Sequence, residues 1–208
     1  FGLTLAIALV VTLVIYGLVL PFRDSYLGIL LYERGWTQHL AIWFSAIVLT
    51  LTITKWLKVN KELSFFRQNF VPEIPNLFSD PYNRDLSILQ KNLSRSNSLL
   101  ATRCSRVIAA YLQSNSRKAA SEIALDDSSF YLSSSESSYA LPRILVWAIP
   151  LLGFIGTVFG ISEAVNGFSG LLDKAGDVEQ IKKGIGTVTT GLAIAFDTTL
   201  LALLLSIL

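Results

Sequence analysis

Along the 208 residues, hydrophobic and polar positions fall into long blocks. Four blocks stay apolar for about 20 residues each, the length at which an α-helix crosses the hydrocarbon core of a bilayer. The first runs from Phe1 to about Leu20 without a charge. The second runs from about Leu40 to Leu57, with Trp36, Trp43 and Trp56 near its ends in the manner of an interfacial aromatic belt. The third covers Ile144 to Glu163 and the fourth Gly184 to Leu208. Between the second and third blocks the chain is polar. Pro72, Pro75 and Pro81 there interrupt any helix continuing from the membrane. From Asn83 to about Leu125, residues Leu86, Leu89, Leu93, Leu99, Leu100, Val107, Ile108 and Leu112 recur, and the leading part predicts an amphipathic helix with one buried stripe. The serine-rich run from Asp126 to Ser138 predicts a loop leading to Pro142 and the third block.

The pattern predicts an all-α, polytopic membrane protein in three parts. Residues 1–57 hold transmembrane helices 1 and 2 with a short outer loop, 58–143 a helical cytoplasmic segment, and 144–208 transmembrane helices 3 and 4. Composition agrees: 52% of residues are hydrophobic and 15% charged, against about 25% charged in ordinary soluble domains. A net charge of +2 is too small to call for a nucleic-acid partner. The first block is too long for a secretory signal and lacks a basic start and a small-residue cleavage site. The missing initiator Met and the abrupt apolar end at Leu208 lead us to expect a chain trimmed at both ends.

Lys and Arg give the orientation. The stretch from Lys55 to Arg143 holds twelve of the 17, with Lys55, Lys58, Lys61, Arg67 and Arg143 close to the membrane ends. In the short loops, Arg23 and Arg34 are balanced by Asp24 and Glu33, and Lys174, Lys182 and Lys183 by Asp173, Asp177 and Glu179. The positive-inside rule then puts the middle segment and both termini in the cytoplasm and both short loops outside. Arg95, Arg103, Arg106, Arg117 and Lys118 give the middle segment a basic character, either a solvated face near anionic lipid or a docking face. The single Cys104 allows no internal disulfide, as expected in a reducing compartment. The single His39, without a Cys or His neighbour, is expected to be an interfacial anchor rather than a metal ligand. No phosphate-binding glycine loop, nucleophile elbow or zinc spacing occurs, so no enzyme and no cofactor is expected.

The closing pair of segments carries polar groups that lipid rejects. Asp197, beside Thr198 and Thr199, costs several kcal/mol unless it faces protein or water, and its default reading is functional. Gly153, Gly156 and Gly160 lie on one side of the third segment and, with Gly191 on the fourth, predict a close packing seam. Pro150 predicts a kink. Thr157 offers a hydroxyl near mid-membrane, although a lone threonine there usually bonds its own backbone.

The run Ile149-Pro-Leu-Leu-Gly-Phe-Ile-Gly-Thr-Val-Phe-Gly-Ile161 closely resembles the third-helix signature of the MotA/TolQ/ExbB proton-channel family. Gly191-Leu-Ala-Ile-Ala-Phe-Asp-Thr-Thr-Leu-Leu-Ala-Leu203 is similar, more loosely, to the family's fourth-helix stretch. The two cover roughly the last third of the chain. The topology is similar to MotA, the motif to TolQ and ExbB. The resemblance implies that residues 144–208 are the channel-forming pair of a homopentameric ring around two copies of a single-pass partner related to MotB, TolR or ExbD. The partner's aspartate takes up the ion. By position, Thr157 and Thr199 line the ion path and Pro150 is the helix-three proline linked to conformational change. The transported ion is a proton or sodium, and the place is the bacterial inner membrane. The family's glutamate falls at Ile194, so that carboxylate is missing; Asp197 stands three residues on. At about 100° per residue, Asp197 and Thr199 point some 200° apart, so they cannot both face a central lumen. Asp197 is then either a structural hydrogen-bond centre, with Thr157, Thr190 or Thr198 as candidate contacts, or a relay or ion ligand. Glu163, near the outer end, either attracts cations at the pore mouth or sits among headgroups. Lys182 and Lys183 are read as interfacial anchors.

The function expected from this resemblance is the ring subunit of an ion-driven rotary motor. The alternative is a non-conducting membrane scaffold presenting its cytoplasmic part to other proteins. A solute transporter is disfavoured because the first helix pair lacks the glycine and threonine pattern of the second.

Overall fold

The computed structural model describes residues 2–32, 35–66, 84–172 and 178–207. Glu33, Arg34, Arg67, Pro72, Pro75, Pro81, Asp173, Lys174 and Asp177, used above for topology and chain breaks, lie outside the described residues. All elements among the described residues are helical: α1 (Gly2–Val19), a 3-10 turn (Leu20–Phe22), α2 (Tyr26–Tyr32), α3 (Trp36–Phe66), α4 (Arg84–Arg95), α5 (Leu99–Ser114), α6 (Arg117–Ser138), α7 (Ala140–Leu172) and α8 (Val178–Ile207). Among the described residues, four stretches are helical, long and apolar enough to cross a membrane: Thr4–Phe22, Trp36–Ser64, one within Arg117–Gly170, and Val178–Ile207. The helices outrun their apolar blocks. With 30 residues, α8 reaches about 45 Å, more than the roughly 30 Å hydrocarbon core.

The chain divides into two compact units, 1–53 with 141–208, and 54–140. In the first, α7 and α8 run antiparallel. Ala41, Ile149 and Ala202 form one buried cluster with Phe44, Leu152 and Leu205 against it. Leu30, Ile42 and Leu201 form another, flanked by Tyr16 and Leu31. The 3-10 turn and α2 occupy what the sequence pattern leaves as a loop. Gly35, just before α3, has φ +109°, a conformation that costs glycine little and other residues much.

In the second unit, Leu86 and Leu93 of α4 are buried together with Ala101, Ser105 and Ala110 of α5. Asn115 ends α5 in the left-handed region (φ 51°, ψ 27°), its N–H donating to Tyr111 O at 2.8 Å. The start of α5 is capped from a distance: Glu62 Oε1 accepts the Leu99 N–H at 2.9 Å and Oε2 the Ser98 hydroxyl at 2.7 Å. Lys55 Nζ donates to Ser138 O and Oγ, both at 2.7 Å, at the end of α6.

The loop expected over Asp126 to Ser138 is instead the second half of α6. Serines loosen helices when their hydroxyls compete for backbone groups elsewhere. Here they turn back onto the helix: Ser129 Oγ donates to Asp126 O at 2.8 Å and Ser138 Oγ to Ser135 O at 2.6 Å. Asp127 also pins the helix to α5, accepting from Arg103 Nε at 2.9 Å and Arg106 Nη1 at 2.5 Å.

Candidate functional site

The small residues of α7 and α8 bring the two backbones together. A Cβ built on Gly160 would lie 2.5 Å from Gly191 O and 2.6 Å from Ala195 N; one on Gly191 would lie 2.6 Å from Ala164 N. Gly153 meets Ala202 Cβ at 2.5 Å and Gly156 meets Thr198 Oγ1 at 2.5 Å on the same construction. Neighbouring backbone cannot retreat as a flexible side chain can, so only glycine allows this approach at Gly160 and Gly191.

That closeness sets the positions of the threonines. Thr199 Oγ1 donates to Ala195 O at 3.1 Å on its own helix and lies 3.4 Å from Gly153 O across the seam. Thr157 Oγ1 donates to Phe154 O at 2.5 Å and lies 3.5 Å from the same Gly153 O. The two hydroxyls therefore converge on one carbonyl. Pro150 lies inside α7, which continues on both sides of it, and it supplies no N–H to the carbonyl four residues back. Glu163 is exposed on the same helix.

Asp197 is not part of this group. It is 8% exposed, and its Oδ1 accepts the Tyr26 hydroxyl of α2 at 2.8 Å. Thr198, among the contacts considered for it from sequence, donates to Ile194 O at 2.8 Å and lies 3.2 Å from Ala195 O. Thr157 likewise bonds within α7. Asp197 and Thr199 thus serve different neighbours, α2 and α7, as two positions 200° apart on one helix must.

Sequence reasoning singled out His39 as an interfacial anchor but missed Tyr16, Tyr32 and Gln38. Tyr32 Oη donates to Tyr16 O at 2.6 Å, and the Tyr16 hydroxyl pairs with His39 Nδ1. Gln38 is 1% exposed, and neither Oε1 nor Nε2 has a hydrogen-bond partner among the described residues. The available signal was polar side chains flanking the aromatic belt residue Trp36, whose ring stacks edge-on with Phe159 at 5.9 Å. No group of three or more His, Cys, Asp or Glu placed to hold a metal occurs among the described residues.

Compared with protein-family models, curated proteins and solved structures, the chain matches none.

Proposed function

We propose that the chain is the ring subunit of an ion-driven motor of the MotA/TolQ/ExbB kind, resident in the bacterial inner membrane with both termini in the cytoplasm. Five copies surround two copies of a single-pass partner whose aspartate carries a proton or a sodium ion, and α7 and α8 supply the ring's side of the path. The observation that carries the reading is the convergence of Thr157 and Thr199 on the Gly153 carbonyl, at the two positions the family resemblance assigns to the path. Two hydroxyls and a carbonyl together would offer an ion three oxygen contacts. A charge crossing 100 mV releases about 2.3 kcal/mol, so useful work needs several ions acting in turn.

The test is ion flux into liposomes holding the chain together with its membrane partner. Flux in the unaltered complex, lowered about tenfold or more by Thr157→Val or Thr199→Val, is the expected result, equivalent to about 1.4 kcal/mol on the barrier. Absence of flux in an assembled complex would favour the non-conducting scaffold, in which both threonines serve only to bond helix backbone.

A further inference from the structure

The close packing of α7 on α8 stops abruptly near the end of α7. A Cβ on Gly160 would lie 2.5 Å from Gly191 O, and one on Gly167 would lie 2.8 Å from Thr187 Cγ2. One on Gly170, the next turn along, would meet nothing within 4 Å. The helices part there around a cleft of about 460 Å³. Clefts of this size hold small-molecule groups. Gly167, Gly170 and Gly184 form part of its wall, with no side chain between their backbone and whatever enters. The side chains that line it, Asn166, Gln180, Lys183 and Thr187, are all polar, on two helices otherwise built for lipid.

Lys183 is the charged residue of that lining. Its carbonyl accepts the Thr187 hydroxyl at 3.2 Å, and no hydrogen bond or ion pair among the described residues engages its ammonium. Glu163 and Glu179, on the same two helices, do not line the cleft. An ammonium with amide and hydroxyl groups beside it suits a singly charged oxyanion, and lysine serves phosphate as a point charge. Lys183 also marks a depth. It is the last charge of α8 before Asp197, and the apolar block begins at Gly184. That boundary is the level of lipid headgroups, to which lysines near helix ends reach. Phe168 and Ile185, each next in sequence to a lining glycine, are 55% and 56% exposed. A phosphate carrying apolar chains matches both the cleft and its borders.

We propose that this cleft binds the phosphodiester headgroup of a glycerophospholipid. Lys183 supplies the counter-charge, Asn166 and Thr187 hydrogen-bonding groups, and the acyl chains lie along Phe168 and Ile185. A plain interfacial anchor would leave Lys182 and Lys183 alike, yet of the two only Lys183 lines the cleft. The site lies about three turns along α7 from Thr157. It needs only that α7 and α8 span the membrane, and it stands whether or not the Thr157–Thr199 seam conducts.

The test is native mass spectrometry of the detergent-purified protein with dioleoylphosphatidylglycerol, with dioleoylglycerol and with inorganic phosphate. The phospholipid should bind at least about tenfold more tightly than either of the others, the scale of one charge-assisted contact. Lys183→Gln should weaken it about tenfold, and so should Gly170→Leu, whose added side chain enters the cleft. Lys182→Gln should change it less than about twofold, as a surface charge outside the site. The proposal is overturned if dioleoylglycerol binds as well as the phospholipid, or if Lys182→Gln and Lys183→Gln weaken binding alike. Inorganic phosphate binding as tightly as the lipid overturns it in favour of a soluble phosphate. The comparison of probes on unaltered protein decides the matter even if a variant fails to fold.

Discussion

The Tyr26 hydroxyl donates to Asp197 Oδ1 at 2.8 Å, although 171 residues separate the two in sequence. Hydrogen bonds to charged groups contribute about 1.5–3 kcal/mol, so Tyr26→Phe is expected to destabilise the first unit by that amount. A double-mutant cycle with Asp197→Leu, read by thermal unfolding in nanodiscs, should return a coupling of at least about 0.5 kcal/mol. Additive losses would show that the two residues do not depend on each other.

Gly160 and Gly191 should tolerate no side chain. With backbone atoms 2.5–2.6 Å from the added Cβ, Gly160→Ala and Gly191→Ala are each expected to cost about 1–3 kcal/mol through forced separation of α7 and α8. Gly186, on the same helix with nothing within 4 Å, is the control. Its alanine variant should be neutral or more stable by about 0.5–1 kcal/mol, because glycine weakens a helix interior. Equal effects at all three positions would contradict a packing seam.

Much of this architecture is readable from residue pattern, and the exceptions have physical causes. Four apolar blocks mark four helices because lipid demands length and hydrophobicity together. Their ends are harder to see, since polar residues such as Lys58 and Gln180 continue a helix as readily as they end an apolar run. The serine run from Asp126 to Ser138 reads as a loop because serine usually draws the backbone out of helices; which carbonyl a hydroxyl will find is a local outcome that composition does not carry. Asp197 is conspicuous in sequence, whereas Tyr26 is not. A tyrosine in a short segment between two apolar blocks has no mark that it will meet a carboxylate on α8. Thr157 and Thr199 stand out as polar groups in apolar segments, their place on a path comes only through resemblance to a motif, and their shared approach to Gly153 O needs the three-dimensional contact.

Glu62 should behave as the N-cap of α5 despite belonging to α3. Removing its two acceptor oxygens with Glu62→Ala is expected to cost about 0.5–2 kcal/mol in the second unit, the range for lost helix caps. Glu62→Gln keeps one acceptor oxygen and should lose less. Hydrogen exchange at the Leu99 amide is the direct readout: it should speed up in Glu62→Ala while amides in mid-α5 change little.

Cys104 should be a slow thiol at neutral pH. It borders a cleft of about 380 Å³ with Leu100, Arg103, Val107, Ile108, Ala124 and Asp127. Burial pushes its pKa up, and the nearby Arg103 charge offsets only part of that. Because the thiolate is the reactive form, a raised pKa lowers reactivity at neutral pH and moves the rise in rate to higher pH. Alkylation by iodoacetamide should therefore still be accelerating at a pH where a free cysteine has reached its plateau. Arg103→Gln should move the rise higher still. A plateau at lower pH than free cysteine would reverse the assignment.

The bond between Tyr26 and Asp197 also bears on how the chain is made. During synthesis α1, α2 and α3 are made long before α8, so Tyr26 waits without the carboxylate that accepts its hydroxyl. A chain stopped short of Asp197 lacks the carboxylate that accepts the Tyr26 hydroxyl at 2.8 Å. Once α8 is in place, the Asp197 carboxylate holds α2 against it through the Tyr26 hydroxyl.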